Sequence, residues 1–386
     1  MPFLSTLRVA RPAVAAFAAM GVLWGTFAAV LPDLKLMLAV DEARLGFLIL
    51  FTPIAAVTAM LLAPSIGAGL GRVALPVSAG LMALTFLLPG QTASLVLFPL
   101  AMMACGAGTG LTDVLMNART AQIEHDRGLH LMNLCHAAYS FGYAGAALGT
   151  GVLRGWAWAP GWVMGTMAAV ALVFAAATWE RDGRIEGLRK PQGTARAGGL
   201  GLVPIIGGGI VFIAFLTENA AESWSALHIE KTLGGSPEQG AMGPAALALT
   251  MGFARLAGQG LVGRVGPFAL LRGGAVISAL GALIASQAVS PFMAYAGFIV
   301  MGIGASVLAP TAFSLVGRLG PPQARARAVA RATLLGYFGY FFGPPSLGFI
   351  AGAFGLRAAF VCAACMLLFI FILTPLMAQL AGRQRA

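Results

Sequence analysis

Twelve stretches of about twenty predominantly apolar residues follow one another along the chain, and this pattern constrains the fold more than any motif. They run roughly over 12–32, 43–64, 73–90, 94–117, 131–153 and 159–179, and then over 201–224, 241–262, 269–289, 292–315, 328–353 and 357–380. In hydrocarbon each backbone N–H and C=O must be satisfied within its own segment, so runs of this length are predicted to be helices. The surface chemistry agrees. Only 10% of the 386 residues are charged and 59% are hydrophobic, whereas a soluble domain carries about 25% charge. That is too little to cover a water-facing surface, and too much apolar content for disorder. The 52 glycines and 21 prolines fall inside apolar runs, where spanning helices tolerate them. The first run is longer than the apolar region of a cleaved signal and follows Arg8 and Arg11, so it reads as a retained helix. The expected class is an all-α membrane protein of twelve transmembrane helices.

Lysine and arginine set the expected orientation. With the N-terminus in the cytoplasm, 19 of the 24 fall on the inner side and five, Lys35, Arg44, Arg154, Lys231 and Arg357, on the outer. An even number of spans then places both termini in the cytoplasm, in a cytoplasmic (inner) membrane. The net charge of +11 does not imply nucleic acid, because the basic residues form no patch or stripe. The expected surroundings are membrane lipid and a small-molecule solute, and the expected state is a monomer. The one long polar stretch, 180–199, separates six spans from six. It reads as a cytoplasmic linker between an N-terminal bundle, 1–179, and a C-terminal bundle, 200–386, with its basic excess on anionic headgroups. Cys105, Cys135, Cys362 and Cys365 lie in apolar segments and read as packing thiols; no metal-ligand spacing and no cofactor is implied.

The halves echo one another. Phe141-Gly142-Tyr143 recurs as Phe338-Gly339-Tyr340 at an offset of 197. Gly106-x-Gly108 recurs as Gly302-x-Gly304 at 196, and Gly71-Arg72-Val73 as Gly263-Arg264-Val265 at 192. Six spans per copy give both copies the same topology, a parallel repeat about an axis along the membrane normal, with a binding site expected where the bundles meet.

With twelve spans, a 6+6 split and a polar middle loop, the chain resembles the major facilitator superfamily over its whole length. The superfamily's usual signature after the second span is Gly-x-x-x-Asp-Arg-x-Gly-Arg. Here the stretch 64–72 keeps only the final Gly71-Arg72, and Ala68 stands where the aspartate is usual. A fuller echo runs from Arg255 to Arg264, with Gln259 where an acid is common. Two further stretches, Thr112-Asp113-Val114-Leu115-Met116-Asn117 and Glu218-Asn219-Ala220-Ala221-Glu222-Ser223-Trp224, are similar to a subgroup near the fucose-permease-like proteins. The resemblance implies a secondary transporter whose first, fourth, seventh and tenth spans line a central cavity, and whose fifth and eighth pack across the bundle interface.

The polar residues at lipid depth carry the expected chemistry, since a charge near a helix centre costs about 2.5–3.5 kcal/mol on insertion scales. Asp113 lies deep in the fourth span, with Asn117 one turn on. It reads as a proton carrier or solute contact, or alternatively as a structural acid making a helix-packing hydrogen bond or an ion pair to Arg119 or Arg331. His136, Asn133 and Tyr139 in the fifth span fall at a similar depth, and a histidine suits a proton relay. In the seventh span Glu218 and Glu222 share a face. Glu218 is the second proton-coupling candidate; Asn219 and Glu222 are expected to contact solute, with Glu222 near the outer interface. Trp224 reads as an interfacial ring or a solute-stacking one, and Trp24 sits on the first span. Tyr337 and Tyr340 can donate to a polyol, or pack. Arg255 is expected to snorkel to the inner interface or to gate against span five, and Arg331 is a second gating candidate. Gly145-x-x-x-Gly149, Gly339-x-x-x-Gly343 and Gly348-x-x-x-Gly352 permit close helix contact.

The sequence has no G-x-x-x-x-G-K-[ST], so ATP hydrolysis is not expected, and no H-E-x-x-H; an enzyme is not the expected reading. Drug antiporters of the superfamily often carry Gly-Pro in span five, which here has no proline. The function expected is alternating-access, proton-coupled uptake of a small polar solute such as a sugar or polyol. The alternatives are proton-coupled efflux of amphipathic compounds and a non-transporting membrane sensor or scaffold.

Overall fold

A computed structural model describes residues 3–129, 131–188, 201–257, 265–319 and 325–383. Among them are fourteen α-helices and no strand. The first half holds α1 (Phe3–Leu38), α2 (Glu42–Ile49), α3 (Phe51–Leu70), α4 (Ala74–Thr85), α5 (Leu97–Arg127), α6 (Met132–Gly155) and α7 (Pro160–Ala177). The second holds α8 (Val203–Leu227), α9 (Pro237–Ala257), α10 (Pro267–Ser286), α11 (Pro291–Leu319), α12 (Arg325–Phe354), α13 (Leu356–Leu368) and α14 (Ile370–Arg383). With α2 and α3 forming one crossing and α13 and α14 another, these are the twelve spans, arranged as two six-helix bundles. Even parity puts both chain ends on one face, called here the termini face; the other is the distal face.

Local sequence explains the departures from simple spans. The second crossing breaks at Leu50, because Pro53 has no N–H to offer the carbonyl of Ile49. Gly71 ends α3 at φ 62°, a conformation glycine adopts without steric cost. α5 runs ten residues beyond the expected end of its span, to Arg127, where Gly128 closes it at φ 62°. Eight segments are long and apolar enough to span on length and composition alone, the longest, Glu42–Gln91, covering two crossings. The helices that fall short, α6, α9 and α12, are those at the bundle interface, where a helix need not be lipophilic all round.

Packing repeats between the halves. α1 packs on α6 as α8 packs on α12; α3 and α4 pack on α5 as α9 and α10 pack on α11. Across the interface α6 meets α9 and α2 meets α12, the same pairing under exchange of the halves. The repeated glycines sit at equivalent seams. A Cβ on Gly106 would lie 2.0 Å from the Thr52 carbonyl oxygen of α3, and one on Gly302 would lie 3.1 Å from the Leu247 carbonyl oxygen of α9. Gly108 and Gly304 face α4 and α10; Gly142 and Gly339 face the carbonyls of Ala18 in α1 and Phe212 in α8. The third repeat cannot be compared, since Gly263 and Arg264, like Gln259, lie outside the described residues.

Of the small-residue pairs expected at seams, Gly339/Gly343 and Gly348/Gly352 do meet a neighbouring helix. Gly145 does not: it is exposed, with nothing near its missing Cβ. A close seam instead is Gly21-x-x-x-Gly25 of α1 against the backbone at Tyr139 and Tyr143. Cys365 is exposed rather than buried, and Cys362 half-buried. The expected linker is partly docked: Arg119 holds Glu180 at 2.9 Å and donates to the Asp182 carbonyl, and Gln122 accepts from the Glu186 amide. Residues 189–199 of it lie outside the described residues.

A Cβ on Gly25 would lie 2.1 Å from the Tyr143 carbonyl oxygen, whereas one on Gly145 meets nothing within 4 Å. Gly25→Ala is expected to cost about 1–3 kcal/mol by forcing α1 from α6, lowering the thermal midpoint of detergent-solubilised protein by several degrees. Gly145→Ala in the same fluorescence-detected melt should leave it unchanged or slightly raised.

Candidate functional site

A cavity of about 280 Å³ lies between the bundles at mid-depth. The first bundle contributes α1 through Trp24 and Phe27, α3 through Thr52 and Met60, α5 through Thr109 and Asp113, and α6 through His136, Tyr139 and Tyr143. The second contributes α8 through Phe215, Glu218, Asn219 and Glu222, α9 through Arg255, and α12 through Tyr337, Tyr340 and Pro344. Spans one, four and seven line it as the resemblance implied, but α11, the tenth span, contributes no residue to it. Phe313 of α11 packs behind Phe215 instead, ring centroids 6.5 Å apart. Helices from spans two, five, eight and eleven complete the wall.

Asp113 sits halfway along α5. Its Oδ2 accepts a hydrogen bond from the Tyr337 hydroxyl of the opposite bundle at 3.0 Å, and its Oδ1 accepts from Asn117 at 3.2 Å. Asn117 also donates to the Asp113 carbonyl at 2.8 Å, which fixes it as a support behind the acid rather than a cavity residue. Neither basic residue offered for Asp113 is its partner. Arg119 is engaged by Glu180, and Arg331 is exposed on α12, away from the cavity.

Glu218, 7% exposed, pairs with Arg255 at 3.5 Å within the second bundle. The guanidinium that was expected to snorkel or to gate therefore turns inward to a carboxylate. Glu222 lines the cavity rather than standing at an interface. Trp224, one of the largest fully buried side chains, packs near Gly348 and lies at neither interface nor cavity. His136 lines the cavity with its ring edge-on to Phe17, centroids 4.9 Å apart, and Asn133 is half-buried outside the cavity. The polar cluster expected around Asp113 thus forms with Asn117 and Tyr337, while His136 and Tyr139 share the cavity without bonding the acid. Of the histidines read as solvated, His125 is exposed and His130 lies outside the described residues.

Sequence reasoning missed the distal face, where basic residues were taken only as an orientation signal. Arg154 of α6, its side chain 1% exposed, is bidentate to Asp33 of α1 at 2.6 and 2.7 Å. It also grips Glu230, in the π-helical turn His228–Thr232 that follows α8, at 2.7 and 2.9 Å, and donates to the Ala29 carbonyl. The next residue, Lys231, reaches back to Glu42 of α2 at 2.5 Å, and Lys35 adds a contact to Glu42 at 3.5 Å. Among the described residues every ion pair that joins the two bundles lies here. Two charged clasps, both anchored on one π-helical turn, thus tie the bundles together at the distal face. The missed hydroxyls are Thr52, Thr109 and Tyr143; the last was visible in the repeated Phe-Gly-Tyr.

The sequence model described as Major Facilitator Superfamily matches residues 207–383. An uncharacterized MFS-type transporter of Yersinia pestis is 31% identical over 355 residues, covering 92% of this chain and 91% of its own length. Among solved structures, a bacterial homologue of the human lysosomal transporter Spinster, inward-facing and occupied, superposes with TM-score 0.76 at 16% identity, over 98% of this chain and 97% of that one. A D-xylose–proton symporter superposes with TM-score 0.73 at 17% identity, over 93% and 95%.

Removing Arg154 leaves Asp33 and Glu230 facing each other without their cation, a loss of about 3–5 kcal/mol when one partner of a buried pair is deleted. Arg154→Gln is expected to open the distal face. A cysteine at Thr52 should then react with a membrane-impermeant maleimide from the distal side several-fold faster than in the parent; an unchanged rate would place the seal elsewhere.

Proposed function

The chain belongs to the major facilitator superfamily and is a membrane transporter rather than an enzyme; from that premise we propose that it carries a small polar solute together with protons, into the cell, by alternating access. The observation that carries this reading is the pairing of acids with a two-bundle cavity. Asp113 and Glu218 stand at the depth where a charge is costly, in a cavity lined by both bundles. Asp113 is the proposed coupling group. Its hydrogen bond to Tyr337 crosses the cavity, so the protonation state of one bundle's acid acts on the other bundle's position. Protonation removes the charge that Tyr337 stabilises, and solute occupancy then competes for the same hydroxyl. Glu218, paired with Arg255, is proposed as the second titrating site, with His136 as a relay.

Alternating access follows from the clasps. In the described conformation the distal face is closed by Arg154–Glu230 and Lys231–Glu42. We read the termini face as cytoplasmic, which agrees with the distribution of Arg and Lys and makes this the inward-facing state of an inner-membrane protein. Proton entry down 100 mV supplies about 2.3 kcal/mol per charge to drive the outward return. The bundles are proposed to divide at the linker 180–199, one monomer being the working unit. A sugar or polyol is the proposed solute class, through Asn219, Glu222, Trp24, Tyr139 and Tyr340. Efflux of amphipathic compounds is the reading the aromatic walls support second.

In liposomes, a transported solute is expected to drive proton uptake. Asp113→Asn should abolish uphill accumulation while leaving downhill exchange of labelled solute within about threefold of the parent. Unchanged uphill uptake in that variant rejects Asp113 as the coupling group.

A further inference from the structure

The distal half of the cavity holds polar atoms that nothing in the protein satisfies. The hydroxyls of Thr52, Thr109 and Tyr143 are buried without a hydrogen-bond partner, and all three residues line the cavity. Tyr143 is 1% and Thr52 4% exposed. A buried hydroxyl left unpaired costs about 1–3 kcal/mol, so three around one cavity call for a ligand that completes them.

Glu222 adds a charge to the same region. The other two cavity acids are provided for: Glu218 by Arg255 and Asp113 by Tyr337 and Asn117. Among the described residues Glu222 has no ion pair and its carboxylate accepts no hydrogen bond, and its neighbour one turn back is Glu218, a like charge. One cation, Arg255, faces three carboxyl groups in the cavity. The charge of Glu222 bears on Tyr143 and Tyr340 as well as on Arg255, whose hydrogen-bonded partner is Glu218, and Trp24 lines the same cavity. A carboxylate sharing a cavity with aromatic rings suits an organic cation, attracted by the charge and by the ring quadrupoles together.

We propose that Glu222, with the rings of Trp24, Tyr143 and Tyr340, is a recognition subsite for an organic ammonium group, and that Thr52, Thr109 and Tyr143 hydrogen-bond the remainder of the same solute. This rests on the transporter reading above and, among small polar solutes, puts a small amine bearing hydrogen-bonding groups in place of the neutral sugar or polyol at Glu222, Trp24 and Tyr340. Glu222 then recognises cargo, while Asp113 is left to carry the proton.

The test uses the purified full chain and titration calorimetry with choline and ethanolamine, each against its neutral carbon isostere, 3,3-dimethylbutan-1-ol and propan-1-ol. The expected result is that at least one ammonium probe binds tenfold or more tightly than its isostere. Glu222→Gln should remove that preference at an unchanged thermal midpoint, and Glu222→Asp should retain part of it. Equal binding of ammonium and isostere, no binding of either ammonium, or a preference that survives Glu222→Gln overturns the proposal. Proton movement in liposomes is read separately. Glu222-dependent ammonium binding with no solute-driven proton uptake would overturn the coupling and leave the subsite. Proton uptake driven by a neutral polyol, with no ammonium binding, would do the reverse.

Discussion

Desolvation of charge governs this molecule. The chain has 13 acidic residues, and three of them, Asp113, Glu218 and Glu222, are held in the wall of a cavity enclosed by helices. An ion in that setting is costly without a partner, and where the protein supplies partners they define the architecture. Tyr337 reaches Asp113 from the other bundle, Arg255 turns inward to Glu218, and at the distal face Arg154 is enclosed between two carboxylates from different bundles. Each of these contacts is intelligible as a charge finding compensation, and two of them also tie one bundle to the other. A transporter needs such ties to be breakable. Ion pairs and single hydrogen bonds meet that need better than close backbone seams such as Gly21 and Gly25 of α1 on α6, which hold helices together within one bundle.

The repeat supplies a symmetric scaffold that carries asymmetric chemistry. Gly106 and Gly108 pack as Gly302 and Gly304 do, and Tyr143 and Tyr340 occupy equivalent helices facing one cavity. The residue equivalent to Asp113 at the same offset is Ala309, and α11 contributes nothing to the cavity wall. The close-packed seams thus belong to both copies, and the ionisable groups are divided between the fourth span of one and the seventh of the other. Motion of one bundle against the other necessarily moves these groups relative to each other.

Much of this was legible in the sequence. Apolar runs gave the twelve spans, because hydrocarbon allows few alternatives to helix, and the repeated Phe-Gly-Tyr and Gly-x-Gly marked true seams. The cavity acids were legible for the same reason that they are rare: Asp113, Glu218 and Glu222 stood out as charges within apolar runs. What was not legible was partnership across bundles. Tyr337 to Asp113 spans 224 positions and Lys231 to Glu42 spans 189, distances over which periodicity carries no information. Trp224 misled because an aromatic next to a span's end resembles an interfacial anchor, while the π-helical turn extends the helix beyond it and buries the ring. Arg154 misled because an arginine outside a run looks like an orientation signal until its carboxylates are known.

The central claim is that two rigid bundles exchange access to one cavity, closing at one face as they open at the other. Pulsed electron-electron spin resonance tests it directly, with one label pair on the exposed positions Arg127 and Arg318 at the termini face and another on Trp158 and Val289 at the distal face. On lowering pH and adding a transported solute, the account predicts opposed shifts, one pair's distances lengthening as the other's shorten. Distances that change together, or that stay fixed in both pairs under conditions of measured transport, would contradict it.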